Sequence, residues 1–281
     1  MIVIPRNICR DISSALAHEW FVTNGNGSYA AAAVTGTLTR SAHGLLVAAL
    51  DTPAPRTVML AKVDEELEVE GQMYKLGTNE YLTNVISPDG FLYLQQVSCD
   101  GVCAEFVYEA GRFRLTKTIW MEARQATTFI RYTLAEHSPN ARLTLLPLCD
   151  YRSIEKITQG SEASHFQFQA LANGLKITAN ADARPYFLLL EPAASFTPLD
   201  LWYWRFQLRA ENNAGLDLFL PGLLRINLAA GRTCTLVATC EADGRVELDS
   251  AASFARACAR KPSQPLLSST EFTRDLFAAL T

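Results

Sequence analysis

The chain has 281 residues, 49% of them hydrophobic and only 19% charged, with 29 acidic and 25 basic side chains giving a formal net charge of -4. That balance excludes a disordered chain and offers no basic footprint for a nucleic-acid backbone or an anionic membrane. No run approaches the roughly 18 apolar residues of a membrane span, and seven cysteines, an odd number, suit reduced thiols better than a disulfide framework.

Met1 to Asn7 lacks the basic and apolar regions of a secretory signal, so a cytoplasmic location is expected. Glu19-Trp20-Phe21-Val22-Thr23 then reads as a strand opening onto Asn24-Gly25-Asn26-Gly27-Ser28-Tyr29-Ala30. Gly25-x-Gly27-x-x-Ala30, with Asp51 about twenty residues on, imitates a dinucleotide-binding fingerprint. Its context argues against it. Val34, Thr35, Gly36, Thr37 and Thr39 stand where the crossover helix would run, and hairpins follow instead of βαβ units. Asn24, Gly25 and Gly27 supply amides and positive-φ positions either to a loop that meets a ligand or partner or to a plain tight loop.

Thr39-Arg40-Ser41-Ala42-His43-Gly44 precedes the apolar run Leu45 to Leu50. Arg40 suits a fork onto a carboxylate or sugar hydroxyls, and equally a structural ion pair at a domain interface. His43 suits a sugar contact or, by preference, a satisfied ring that orients the turn before Gly44.

From about Phe91 to Cys240 the dominant period is two, with turn residues recurring every eight to twelve positions, the pattern of antiparallel strands in a sandwich or barrel. Phe166, Phe168 and Ala170 alternate with His165, Gln167 and Gln169, and Cys234, Leu236, Ala238 and Cys240 alternate with Thr233, Thr235, Val237 and Thr239. Ala110-Gly111, Asn173-Gly174 and Ala230-Gly231 read as hairpin turns, the second as a type I′ turn with positive φ at both positions. Cys99 and Cys103 flank the turn Asp100-Gly101 without a second pair or a nearby histidine, so no metal site is expected. Lys117 interrupts the apolar row Phe113, Leu115, Ile119 and Met121, which a bulge turning it outward explains first and a buried partner second. Alternation puts Trp202 and Trp204 on one strand face and Tyr203 on the other. Two indoles on one face make a sugar platform or, by preference, a layer of core or interface.

Helical signals come at the end. Asp249 or Ser250 caps a helix from Ala251 to Arg260, Lys261-Pro262-Ser263-Gln264-Pro265 reads as a linker, and Phe272, Leu276 and Leu280 form the stripe of a second helix. No carboxylate pair can be chosen as a glycosidase dyad, and no nucleophile-elbow or phosphate-loop motif is present.

Glu19-Trp20-x-Val22-Thr23-Asn24-Gly25-x-Gly27-x-Tyr29-Ala30, followed by Thr39-Arg40 and by His43 to Leu50, resembles the opening of the bacterial and archaeal glycogen debranching enzyme N-terminal domain family. Arg56 to Lys62 continues the match, with weaker echoes at Lys117, at Pro147 with Arg152, at Trp202 and at Pro221-Gly222. The resemblance implies an all-β fold, a large antiparallel β-supersandwich of the galactose-mutarotase type over residues 1–260 with short C-terminal helices. Residues 261–281 would lead toward an (α/α)6 catalytic domain carrying the acid and base carboxylates. The implied role is that of a non-catalytic module of an amylo-α-1,6-glucosidase, packed on the barrel and helping to shape its α-glucan site, with no cofactor and no metal. Asn24, Gly25, Gly27, Arg40, His43 and Trp202 are then the candidate contacts to substrate or partner domain, with the loop of Asn24 to Ser28 and the segment Thr39 to His43 expected to be exposed beside an apolar patch. A standalone carbohydrate-binding module and a self-sufficient mutarotase-like enzyme are the alternatives. Ser41-Ala42 departs from the family's Arg-Tyr, Ser28 replaces a glycine, and Ser153-Ile154-Glu155 follows Arg152 where an Asp and a later His are usual.

Overall fold

Period-two alternation along most of the chain builds two antiparallel sheets that face each other. The computed structural model describes residues 1–50, 55–162, 164–241 and 249–260; the expected linker and second helix at 261–281, and Asp51, lie outside the described residues. Strands are numbered along the chain. The nine-stranded sheet runs β1 (Ile2–Pro5), β9 (Leu94–Cys99), β10 (Cys103–Ala110), β11 (Phe113–Met121), β12 (Thr127–Leu134), β19 (Thr233–Thr239), β16 (Tyr186–Glu191), β15 (Gly174–Thr178) and β14 (Gln167–Leu171). The ten-stranded sheet runs β2 (Glu19–Thr23), β3 (Tyr29–Ala33), β4 (Gly44–Ala48), β5 (Thr57–Val69), β13 (Ala141–Ser153), β18 (Ala214–Leu228), β17 (Ser195–Leu208), β7 (Thr78–Tyr81) and β8 (Val85–Asp89), with β6 (Gln72–Lys75) paired to β5.

Alternation divides each strand between two environments. Trp20 and Val22 of β2 enter the main core between the sheets, as do Leu115, Ile119, Leu143, Leu236 and Phe219. Phe21 points the other way, into a second core on the far face of the ten-stranded sheet with Val58, Leu148, Phe206 and Leu218. The β3–β4 connection supplies Leu38 to that second core and is tied down beyond it. Thr37 Oγ1 donates to the Thr78 carbonyl (3.1 Å), the Ala210 amide to the Thr39 carbonyl (3.0 Å), and the Ser41 amide and hydroxyl to Glu211 Oε1 (2.8 and 2.5 Å). A third cluster lies on the outer face of the nine-stranded sheet beneath α3 (Ser250–Ala259). There Trp120 stacks on Phe129 at 5.1 Å, and Arg131 lies 4.7 Å from both the Trp120 and Phe254 rings.

Asp249 caps α3 as expected, its carboxylate accepting from the Ala252 amide at 2.9 Å. Two short helices, α1 (Arg6–Cys9) and α2 (Ile12–Ala17), precede β2 and were not expected, because four and six residues are too few to display a helical period. The capping pattern was there to be read: Asp11 Oδ2 accepts from the Ser14 amide at 3.3 Å.

The stretch Gly25 to Ala30 opens no helix, in keeping with its sequence context; Thr23 pairs with Tyr29 and Glu19 with Ala33, so it closes a hairpin. Three sequence expectations need correction. First, Asn173-Gly174 does mark a hairpin, but Leu171 pairs with Gly174, leaving Ala172-Asn173 as the turn with neither at positive φ. Gly174 instead permits a close approach, since a Cβ there would lie 2.0 Å from the Leu188 carbonyl oxygen. Second, Ala230-Gly231 joins β18 to β19, strands of different sheets, so it is a crossing between layers and not a hairpin. Third, β11 carries no bulge: its pairing with β10 and β12 is regular, and Lys117 points inward. It is 6% exposed and its ammonium lies 2.6 Å from Glu65 Oε1, which also accepts from the Tyr132 hydroxyl at 2.8 Å. The seven cysteines are free thiols, Cys9, Cys149, Cys234 and Cys240 being buried.

Candidate functional site

Of the residues singled out in the N-terminal motif, Arg40 and His43 meet on Glu19, whereas Asn24, Gly25 and Gly27 form a separate loop. Glu19, at the start of β2, is the hub. Its Oε1 accepts from Arg40 Nε at 2.7 Å and from Thr39 Oγ1 at 3.4 Å, while His43 Nε2 stands 3.3 Å away. The His43 ring has no solvent exposure and is oriented from behind, its Nδ1 accepting from the Thr39 amide at 3.2 Å, which leaves Nε2 turned to the carboxylate. Burial pushes the Glu19 carboxyl up, but the His43 Nε2 that faces it and the Arg40 guanidinium bonded to it outweigh burial and hold it at about 2. Arg40 is the accessible member, with 41% of its side chain exposed.

Asn24 is the buried organiser of the next loop. Its Oδ1 accepts from the Asn26 and Ser28 amides (2.8 and 3.1 Å), an Asx turn, and its Nδ2 donates to the Gln125 carbonyl (3.0 Å), tying the loop to the β11–β12 turn. Gly25 and Gly27 take φ of 73° and 88°. The Gly27 carbonyl accepts from Arg56 Nε at 2.7 Å. The expected exposure is thus confined to Gly25 and Asn26 in this loop and to the Arg40 side chain beyond it; Asn24, Ser28, Thr39, Ser41 and His43 are buried.

Of three departures from the family pattern, Ser28 and Ser41 act through their side chains and Ala42 only through its main chain. The Ser28 hydroxyl accepts from the Ala49 amide at 3.0 Å, Ser41 binds Glu211, and the Ala42 carbonyl accepts from Tyr29 OH at 2.8 Å. Arg152 is bound inside the domain, its Nε to Asp150 Oδ2 at 2.7 Å and its Nη1 to the Ser153 and Lys156 carbonyls. Asp150 also accepts from Thr158 Oγ1 at 2.6 Å, so the pair pins the segment that leaves β13. Burial keeps the Asp150 carboxyl above its ordinary range in spite of Arg152 and Thr158.

Trp202 stands on β17, held by a different set of residues. Its ring packs edge-on to Phe219 (5.5 Å) and Phe166 (5.9 Å), its Nε1 donates to the Ser164 carbonyl (2.7 Å), and Trp204 lies beside it at 6.1 Å with 44% exposure. Tyr203 faces the second core, as alternation requires. Trp202 is therefore half core and half surface.

Two larger proteins are among the solved structures that the chain matches. A bacterial glucoamylase complexed with acarbose superposes with a TM-score of 0.38 at 7% identity over 93% of this chain and 36% of that one. A putative kojibiose phosphorylase from the human microbiome gives 0.40 at 12% identity, over 95% and 35% respectively. The chain spans about a third of the length of these structures. No curated protein matches it by sequence. Residues 18–235, which contain the Glu19 hub, both motif loops and every strand of the two sheets except β1 and the end of β19, match the family described as Glycogen debranching enzyme N terminal, and the chain belongs to that family.

Proposed function

We propose that the chain is the non-catalytic N-terminal module of a glycogen debranching enzyme of the amylo-α-1,6-glucosidase type, acting in the cytoplasm. In this reading it packs on an (α/α)6 catalytic domain, with Arg40 and the Gly25–Gly27 loop at the junction, and helps to shape the α-glucan site. Residues 1–260 are the module and 261–281 the approach to the barrel.

The observation that carries the proposal is the family match over residues 18–235. The geometry is consistent with it. The acidic side chains buried in the described residues are engaged in holding the fold: Asp64 by Lys62, Glu65 by Lys117, Glu80 by Arg209, Glu122 by Arg256, Asp150 by Arg152, and Asp217 by the Arg205 and Gly160 amides, while Arg40 holds the partly buried Glu19. A recess of about 370 Å3 contains Glu68 and Glu70, but these pair with Arg142 and Arg112 at the surface. A glycosidase needs two carboxylates free to face one sugar.

The test is turnover. The 281-residue chain is expected to release no glucose from a branched limit dextrin, whereas the same chain joined to an (α/α)6 catalytic domain debranches it. Turnover by the chain alone, abolished by one Asp or Glu substitution within it, would overturn the proposal.

A further inference from the structure

We propose that Trp204, with Trp202 beside it, is a preformed stacking platform for a pyranose ring of a neutral α-glucan; the choice of glucan rests on the reading just given. The two indoles share a face of β17, their planes 35° apart, and they divide the work. Trp202 is fixed from below by Phe166 and Phe219 and through its Nε1 by Ser164. Trp204 presents its ring to solvent.

The backbone around them is shaped for this position. The pairing of β17 with β18 breaks between Pro198 and Leu201 and again between Tyr203 and Phe206. Within those breaks Asp200 and Arg205 adopt φ of 57° and 64°, left-handed values that a residue with a Cβ adopts only when its surroundings impose them. Bulges of this kind re-aim side chains, and here they bracket the segment bearing both indoles.

One buried carboxylate joins the second of these bulges to a neighbouring loop. Asp217, 6% exposed, accepts the Arg205 amide on Oδ1 at 2.8 Å and the Gly160 amide on Oδ2 at 2.9 Å. It therefore ties the bulge after Trp204 to the loop that lies against the rings. At Gly160 a Cβ would stand 2.7 Å from the Trp202 ring and 3.0 Å from Trp204, so only glycine lets the loop lie this close. Left-handed backbone, a buried acceptor and a close glycine are more than an exposed side chain needs, and together they preorganise a binding surface.

The surroundings fit a sugar. A pyranose offers an apolar C–H face and a rim of hydroxyls, so it asks for an aromatic plane edged by hydrogen-bonding groups. The Asp200 carboxylate, 2.9 Å from His165 Nδ1, and Arg205 bracket the indoles and are exposed. The pair and the arginine offer both acceptors and donors.

Glycogen-containing native gels and titration calorimetry with maltoheptaose test the assignment on the 281-residue chain. Trp204→Ala is expected to weaken binding about tenfold or more, and Trp204→Phe to restore part of it, because a smaller aromatic plane remains. Trp204 is exposed, so circular dichroism and melting of the variant should match the parent. If the parent binds glycogen and Trp204→Ala binds equally well, the platform is overturned while the module reading stands. If the parent binds no α-glucan, the platform is likewise overturned, and the limit-dextrin assay alone decides the module reading. If Trp204→Ala keeps glycogen affinity but loosens assembly with the catalytic domain, the indoles are a protein interface and the sugar assignment falls.

Discussion

Arg40 reaches Glu19 from solvent and His43 reaches it from the interior, and the two contacts differ in what their loss costs. An arginine with 41% of its side chain exposed keeps much of its hydration, so Arg40→Ala should cost about 0.5–1 kcal/mol in urea unfolding. Removing the carboxylate is different. Glu19→Ala strips the polar partner from a fully buried imidazole as well as from Arg40, and a cost of about 3 kcal/mol is expected. A loss for Arg40→Ala as large as that would make Arg40 internal scaffolding and remove it from the junction. The hub also predicts a pH dependence. Glu19 titrates at 4.5 when unfolded and about 2 when folded, so its contribution is complete above pH 4.5 and is lost as pH falls toward 2. The stability difference between the parent and Glu19→Gln should therefore shrink across that window; a constant difference would show that the carboxylate is not held down by its neighbours. Little of this was readable beforehand. The motif announces itself by residue type and order, but the acid that organises it lies 21 and 24 positions from Arg40 and His43, and burial of His43 depends on strands that have not yet been placed.

β11 shows what alternation reveals and what it hides. Its apolar row is legible because every second residue meets the same core, and β19 is legible for the same reason. Lys117 defeated the pattern because its partner, Glu65, lies on the opposing sheet, and a single sequence carries no sign of that pairing. With both side chains under a tenth exposed, the pair is expensive to break and cheap to replace. Lys117→Met should destabilise by about 3 kcal/mol, since Glu65 is left buried with only Tyr132 to bond it. Adding Glu65→Gln removes the stranded charge and keeps an acceptor for the Tyr132 hydroxyl, so the double variant should recover about half of that loss. Additive costs in the double-mutant cycle would mean that the two side chains do not interact and that Lys117 finds another partner. Turns were legible in the same partial way. Gly231, at φ 71°, marks a change of direction, but nothing local says that the next strand joins the other sheet.

At the scale of the molecule, the ten-stranded sheet has apolar residues on both faces, one closing the sandwich and the other covered by the β3–β4 connection and by Ile154 and Ile157 of the segment after β13. Fold class was within reach of the sequence because hairpins and period-two strands dominate it. The order of strands, and the second core that follows from it, was not, because segments distant in sequence close that core: the motif loop meets Thr78, Ala210 and Glu211. The arrangement makes two cores of unequal standing. The main core is sealed between two sheets, whereas the second is closed by two connections, the β3–β4 loop with Leu38 and the segment after β13 with Ile154 and Ile157, and the former is held through a few hydrogen bonds, which is the construction of a separately opening unit. Thr37→Val with Ser41→Ala removes the side-chain bonds of that connection to Thr78 and Glu211. The expected result is a local loss of about 1–3 kcal/mol, at roughly one per bond removed. In native-state hydrogen exchange the amides of Ala210, bonded to Thr39, and His43, bonded to Arg40, should lose protection, while those of Ile119 and Ile130 in the main core keep theirs. Equal loss at all four would show one cooperative core, and the motif loop would then be part of the fold's foundation instead of a strap across one face of it.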